Sequence, residues 1–152
     1  MHLSGPAGWA EAQARRDGWR LELERQGRRV PPLRWGGDWS ARSGYTTGRS
    51  LAREPDVTAV FVANDQMALG VLRSLSEAGR RVPQDISVVG FDDIPEAAYF
   101  TPPLTTVRQD FNEMGRLSLV VLLDQIEDGP SGPFRTTVTP ELVVRASTGP
   151  LG

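Results

Sequence analysis

Two short polar pairs carry most of the hydrogen-bonding chemistry this sequence offers. Asn64-Asp65 closes the apolar run Val57–Ala63, and Asp92-Asp93 closes the apolar run Ile86–Phe91. A side-chain amide both donates to and accepts from a hydroxyl, and a carboxylate accepts two hydroxyl hydrogens, which suits a vicinal diol. The plain alternatives are helix capping for the first pair and a solvated loop for the second. Capping is assigned to Asp65 and ligand contact to Asn64. Trp39 sits in the loop Gly36–Ser40 beside Asp38. An indole face packs on the apolar C–H face of a pyranose, and loops often carry binding residues; a tryptophan at the edge of the core fits equally well. Arg15 offers a rigid fork of donors, while the adjacent Arg16 is expected to face solvent.

Turnover chemistry is harder to assemble. His2 is the sole histidine and stands at a terminus expected to fray. No Gly-x-Ser-x-Gly, Gly-x-x-x-x-Gly-Lys or Gly-x-Gly-x-x-Gly pattern occurs. Asp92 and Asp93 are neighbours, so they cannot flank a bond as a glycosidase pair does. The chain reads as a binder, not an enzyme, and no cofactor is expected.

Composition narrows the class further. The 152 residues suffice for one ordinary domain, and 39% hydrophobic with 24% charged residues is a globular balance. Net charge is −2, and the 17 basic residues are all arginine and form no basic block, so nothing here grips DNA unaided. Cysteine is absent, which excludes disulfides and thiolate metal sites. No run is long enough to span a membrane and the N-terminus lacks a leader-like layout, so the cytoplasm is the expected location.

The elements that must position these residues alternate. His2-Leu3-Ser4 reads as the tail of a strand. Trp9–Gln26 reads as a helix with Ala12, Arg16, Trp19 and Leu23 on one stripe, and Gly18 is expected to permit close packing. Val30–Trp35 is an edge strand broken by Pro31-Pro32. Ser40 caps a helix over Ala41–Arg53. Val57–Ala63 is a buried strand, and a helix follows with Ala68, Val71, Leu72, Leu75 and Ala78 at helical spacing until Gly79. After the strand Ile86–Phe91 come a turn over Ile94–Phe100, a strand Leu104–Arg108, and a helix Phe111–Glu127 capped by Asp110. A loop Asp128–Pro133 and a strand Thr136–Arg145 complete the chain. Alternating strands and helices predict an α/β fold, a doubly wound parallel sheet whose ligand edge is the carboxyl end of the strands.

Three blocks now point to a family. Val62–Gly70 (VANDQMALG), Asp85–Asp93 (DISVVGFDD) and Pro102–Phe111 (PPLTTVRQDF) strongly resemble the lactose-repressor (LacI) family of bacterial transcriptional regulators, in that family's order and spacing. Gly5-Pro6, Arg15–Trp19 and Gly37–Ser40 match as well, so the likeness covers nearly the whole chain. The resemblance implies a periplasmic-binding-protein-like sensor in which a small effector, usually a sugar, binds between two lobes. It implies effector contacts at Arg15, Trp39, Asn64, Asp92, Gln109 and Phe111, with Phe111 closing the apolar side. The Trp-bearing loop and carboxylate are similar to members that sense galactosides or related sugars. Trp9 and Glu11 depart from the small hydroxyl residues of the family's type member, a difference that bears on which sugar is bound.

The resemblance also implies a division of the chain. Residues 1–109 and 136–147 correspond to most of a C-terminal lobe without its first strand and helix. Residues 110–135 correspond to a crossover helix and loop belonging to an otherwise absent N-terminal lobe. No helix-turn-helix headpiece is present, so the expectation is a fragment, a disrupted gene or a misassigned reading frame. Operator DNA would be reached only through that missing headpiece. The stripe Phe111, Met114, Leu117 and Val121 is then expected to lie exposed or to dock somewhere unusual. Members of the family pair as homodimers through this lobe, which places Leu69 and Phe100 at the interface; ordinary core burial is the alternative. A periplasmic sugar-binding protein for transport is the runner-up.

Overall fold

The computed structural model describes residues 1–127, 129 and 137–150. The loop expected over Asp128–Pro133 lies, Gly129 apart, outside the described residues, as does Thr136. Among the described residues six strands form one sheet: β1 (His2–Ser4), β2 (Trp35–Gly36), β3 (Ala59–Val62), β4 (Ser87–Asp92), β5 (Thr105–Arg108) and β6 (Glu141–Val143). Their order is β2-β1-β3-β4-β5-β6. The pairs from β2 through β5 are parallel, and β6 runs antiparallel to β5. The helices are α1 (Ala10–Arg25), α2 (Ala41–Leu51), α3 (Asp65–Glu77) and α4 (Phe111–Glu127), with a 3-10 turn over Pro95–Tyr99.

Successive strand residues face opposite sides of the sheet, and here each side carries helices. Leu3, Val60, Val62 and Val88 enter one core with Met67, Val71 and Leu75 of α3. The intervening His2 and Phe61 turn to the other face, where His2 stacks on Phe61 at 4.9 Å and meets Trp19 of α1 at 5.4 Å. Helices α2 and α3 approach closely because small residues line the seam. A Cβ at Gly44 would run into the Met67 backbone carbonyl, and one at Gly70 into that of Ala41. Among the described residues no helix is long and apolar enough to cross a membrane.

Several expectations need correction. His2 does not fray: it is buried, donates from Nδ1 to the Phe61 carbonyl at 2.9 Å, and burial drops its pKa from 6.5 to about 4. The strand expected over Val30–Trp35 shrinks to Trp35–Gly36, since Pro31-Pro32 cannot donate to a ladder. Gly18 faces open space, so it serves no close contact. Ala78 is exposed beyond the last turn of α3. The terminal strand spans only Glu141–Val143. Helix α4 buries none of its residues; of its expected stripe, Phe111 and Met114 are exposed and Leu117 and Val121 half-buried.

Candidate functional site

In a parallel sheet each strand's carboxyl end feeds the next helix's N-terminus, so both arrive at one edge of the molecule. That edge collects the candidate residues. Trp39 precedes the cap of α2, Asn64 caps α3, Asp92 ends β4, Gln109 follows β5, and Phe111 begins α4. Arg15 reaches the same edge from the second turn of α1. Helix N-termini present free N–H groups and positive potential there, which favours oxygen-rich ligands.

Arg15 ties the set together. Its Nη1 donates to the Ala63 carbonyl at 2.7 Å, just past β3, and its Nη2 to Asp92 Oδ1 at 3.3 Å. Its guanidinium lies 4.1 Å from the Phe91 ring centroid and 5.4 Å from that of Trp39. Gln109 Nε2 donates to the same Asp92 Oδ1 at 2.9 Å. Two donors therefore converge on one carboxylate oxygen, and Oδ2 has no hydrogen-bond partner among the described residues. Burial raises the Asp92 pKa above the usual carboxylate value, opposed by the Arg15 charge and the Gln109 bond. Burial likewise lowers Arg15, against the pull of Asp92, Glu11 and Asp65.

Asn64 takes the capping part expected of Asp65. Asn64 Oδ1 accepts from the Met67 N–H at 2.9 Å, so Asn64 is the helix cap. Its Nδ2 donates to the Trp39 carbonyl at 3.0 Å, which pins the tryptophan loop, and the residue is 5% exposed. One amide hydrogen and one lone pair remain for a ligand. Asp65 is not a cap but a buried bracket. Its Oδ1 accepts from Thr106 Oγ1 at 2.6 Å and its Oδ2 from the Ile94 N–H at 3.0 Å. That holds the turn after Asp92 against β5. Burial raises its pKa, against the Thr106 and Ile94 hydrogen bonds.

Asp93 is not a solvated loop residue either. Arg108 Nε donates to its Oδ2 at 2.7 Å, and Arg145 pairs with its Oδ1 at 2.7 Å. Burial pulls its carboxyl upward, but the two arginines outweigh this and leave it below its ordinary value. Three non-glycine residues among those described have left-handed backbone: Trp39 (φ 73°), Asp92 (φ 110°) and Asp93 (φ 52°). Such conformations cost about 1–3 kcal/mol each and concentrate at functional sites. Here all three fall on this edge.

Five of the six candidates thus form a contact series running Asn64, Trp39, Arg15, Asp92, Gln109. Phe111 stands slightly apart, 57% exposed, where it lines with Asp92 and Gln109 a groove of about 680 Å³ that runs on to Thr139 and Glu141. The two interface candidates part company. Leu69 is 43% exposed, off the buried face of α3, whereas Phe100 is 8% exposed and packs in the core, the alternative to an interface position. What was missed is the bracketing part of Asp65 with Thr106, and the pairing of Asp93 with Arg108 and Arg145. Their only sequence signal is that acids follow the strand ends; which acid turns inward depends on backbone twist.

A two-faced, mostly parallel sheet with polar groups gathered at its carboxyl edge defines a periplasmic-binding-protein-like lobe. The chain belongs to the family of periplasmic binding protein-like domains, whose model matches residues 2–148. It is similar to LacI-family repressors. The lactose operon repressor of Escherichia coli (strain K12) is 41% identical over 148 residues, which cover 96% of this chain and 40% of that protein. The ribose operon repressor of the same strain is 38% identical over 147 residues, covering 95% of this chain and 44% of that protein. The chain therefore spans less than half the length of these curated relatives. Among solved structures, a lac repressor dimer bound to operator and the anti-inducer ONPF superposes with TM-score 0.89 at 40% identity, over 100% of this chain and 52% of that one. The complex of the transcriptional regulator CelR with cellobiose superposes with TM-score 0.89 at 38% identity, over 97% of this chain and 46% of that one. These relatives are transcriptional repressors and regulators rather than enzymes.

Proposed function

We propose that this chain is the effector-sensing part of a LacI-type transcriptional regulator and that its effector is a carbohydrate. The observation that supports this best is Asp92. Two donors hold one of its oxygens and leave the other to accept hydroxyl hydrogens, beside an indole whose backbone is strained into place. Asp92, Asn64 and Arg15 bind hydroxyls, Gln109 orients the carboxylate, Trp39 supplies an apolar surface, and Phe111 covers the apolar side. Residues 1–109 and 136–147 act as one lobe, and residues 110–135 contribute the crossover helix of a second lobe.

In the whole regulator, sugar bound between two lobes favours the closed arrangement. Through a dimer that includes the Leu69 surface, this shifts the balance between states that differ in operator affinity. DNA contact falls to a separate headpiece, in keeping with the absence of a basic block here, and the site of action is the cytoplasm. The relatives being repressors, this reading is preferred to a transport protein.

The test is a two-dimensional NMR titration with cellobiose, ribose and ONPG. The expected result is a saturable shift of the Trp39 indole N–H signal by at least one of them. Asp92→Asn abolishes it while leaving the melting temperature unchanged. Absence of any saturable shift, or a shift indifferent to Asp92→Asn, defeats the proposal.

A further inference from the structure

The rim of the site carries an aromatic corner that the contact series does not use. Building on the sugar-sensing reading, we infer that Trp9 extends Trp39 into a second saccharide subsite, so that the ligand taken has two linked rings, a disaccharide or an aryl glycoside, rather than a free monosaccharide.

Trp9 is out of place by every structural measure. It occupies the N-cap of α1, where Ser, Thr, Asp or Asn would satisfy free backbone N–H groups. Its side chain makes no capping hydrogen bond. It is 55% exposed and outside the core cluster. The largest of side chains is thus more than half in water, without a capping bond, and leans on Trp39 alone among the aromatic rings described. Tryptophan, with an apolar body and a polar N–H, is enriched where one side of a contact surface is apolar and the other wet.

Its neighbour supplies the direction. The Trp9 and Trp39 rings lie 6.1 Å apart, centroid to centroid, at 72° to each other, forming two walls of a corner. Trp39 is the fixed wall. Gly5 lies so close under its ring that a Cβ there would collide with the indole, and Asn64 holds its backbone carbonyl. Through Arg15, the same ring connects to Asp92. Trp9 therefore adds one more station to the series Asp92, Arg15, Trp39, at the end away from the carboxylate. A ring whose hydroxyls engage Asp92 would leave its linked partner to rest in the corner.

The polar group near that end fits as well. Glu11 stands one helical turn before Arg15, on the same stripe of α1, is exposed, and acts on the Arg15 charge. Its carboxylate offers an acceptor to hydroxyls of the outer ring. An apolar corner with one acceptor at its margin matches a hexose, which has an apolar C–H face and a hydroxylated rim, or an aryl group.

The experiment titrates the chain with two matched pairs, cellobiose against methyl β-glucoside and lactose against methyl β-galactoside. Wild type is compared with Trp9→Ala, Trp9→Phe and Asp92→Asn. In one pair the two-ring member is expected to bind about tenfold more tightly, a preference that Trp9→Ala erases while one-ring affinity stays within about twofold. Trp9→Phe retains most of the preference, and Asp92→Asn weakens both members. Equal affinity of wild type for one- and two-ring members overturns the subsite. So does a Trp9→Ala variant that weakens both members alike, or tightens both because Trp9 fills the sugar's place. Asp92-dependent binding of both members that is indifferent to Trp9 removes the subsite alone. No binding of any of the four sugars overturns the subsite, and silence of ribose and ONPG as well removes the sugar-sensing reading with it.

Discussion

Helices α3 and α4 look like equals on paper. Both follow a strand, both begin at a well-formed cap, and both carry leucine, valine and methionine at helical spacing. In the fold they are opposites. Helix α3 buries eight of its residues between the sheet and α2, where glycines let two backbones nearly touch. Helix α4 buries none, and Leu119, Leu122, Leu123 and Ile126 are more than half exposed. Apolar periodicity states that a helix wants a partner layer; it does not supply one. The difference also divides the site. The residues anchored through the α3 side, Asn64 and Trp39, are rigidly bracketed, whereas Phe111 on α4 stands free.

The contrast can be broken at several points. The largest effect is expected at the α2–α3 seam. Gly44→Val forces a side chain into the Met67 carbonyl and should cost about 3 kcal/mol or more, read as a drop in the urea midpoint. A normal midpoint would show that the seam is looser than drawn.

The opposite sheet face gives a pH test of comparable size. The His2 pKa is about 4 when folded, against 6.5 for the free side chain. Folded protein thus keeps His2 neutral where unfolded chain is already charged. Stability should be constant above about pH 6.5 and fall as pH drops toward 4, by about 3 kcal/mol in all from this group. His2→Phe should flatten that slope in a pH series of urea melts; an unchanged slope would mean that His2 is solvated.

Smaller, at about 2 kcal/mol, is the cost of Asp65→Ala, which orphans the Thr106 hydroxyl and the Ile94 N–H. Hydrogen exchange at Ile94 should accelerate with it, whereas unchanged protection would deny Asp65 its bracketing part. The smallest effect belongs to α4. Leu123→Ala should alter stability by no more than about 0.5 kcal/mol, because the side chain is already in water. A loss of the core-like size seen at Gly44 would erase the comparison with α3.

Much of the architecture was legible because parallel strands buried on both faces read as continuous apolar runs, and because Ser40 and Asp110 announce helix starts by their own hydrogen bonds. The edge position of the proline-broken segment followed from the missing donors of Pro31-Pro32. Asn64 and Asp65 were not separable in this way. Both are good capping residues, and only the path of β3 into α3 turns one toward Met67 and the other toward Thr106. Phe100 failed as a surface candidate for the same reason, since the extended segment after the 3-10 turn folds it inward.

The sequence by itself determined the order of strands and helices, the caps of α2 and α4, and that oxygen-seeking groups stand at the strand ends. These depend on propensity, periodicity and hydrogen bonds between residues a few positions apart. Only the tertiary structure decided that Arg15, 77 positions from Asp92, clamps it, that Asp65 faces inward, and that Trp9 leans on Trp39. Those are contacts between distant parts of the chain, and they exist only after the sheet has set the distance and the facing of the elements that carry them.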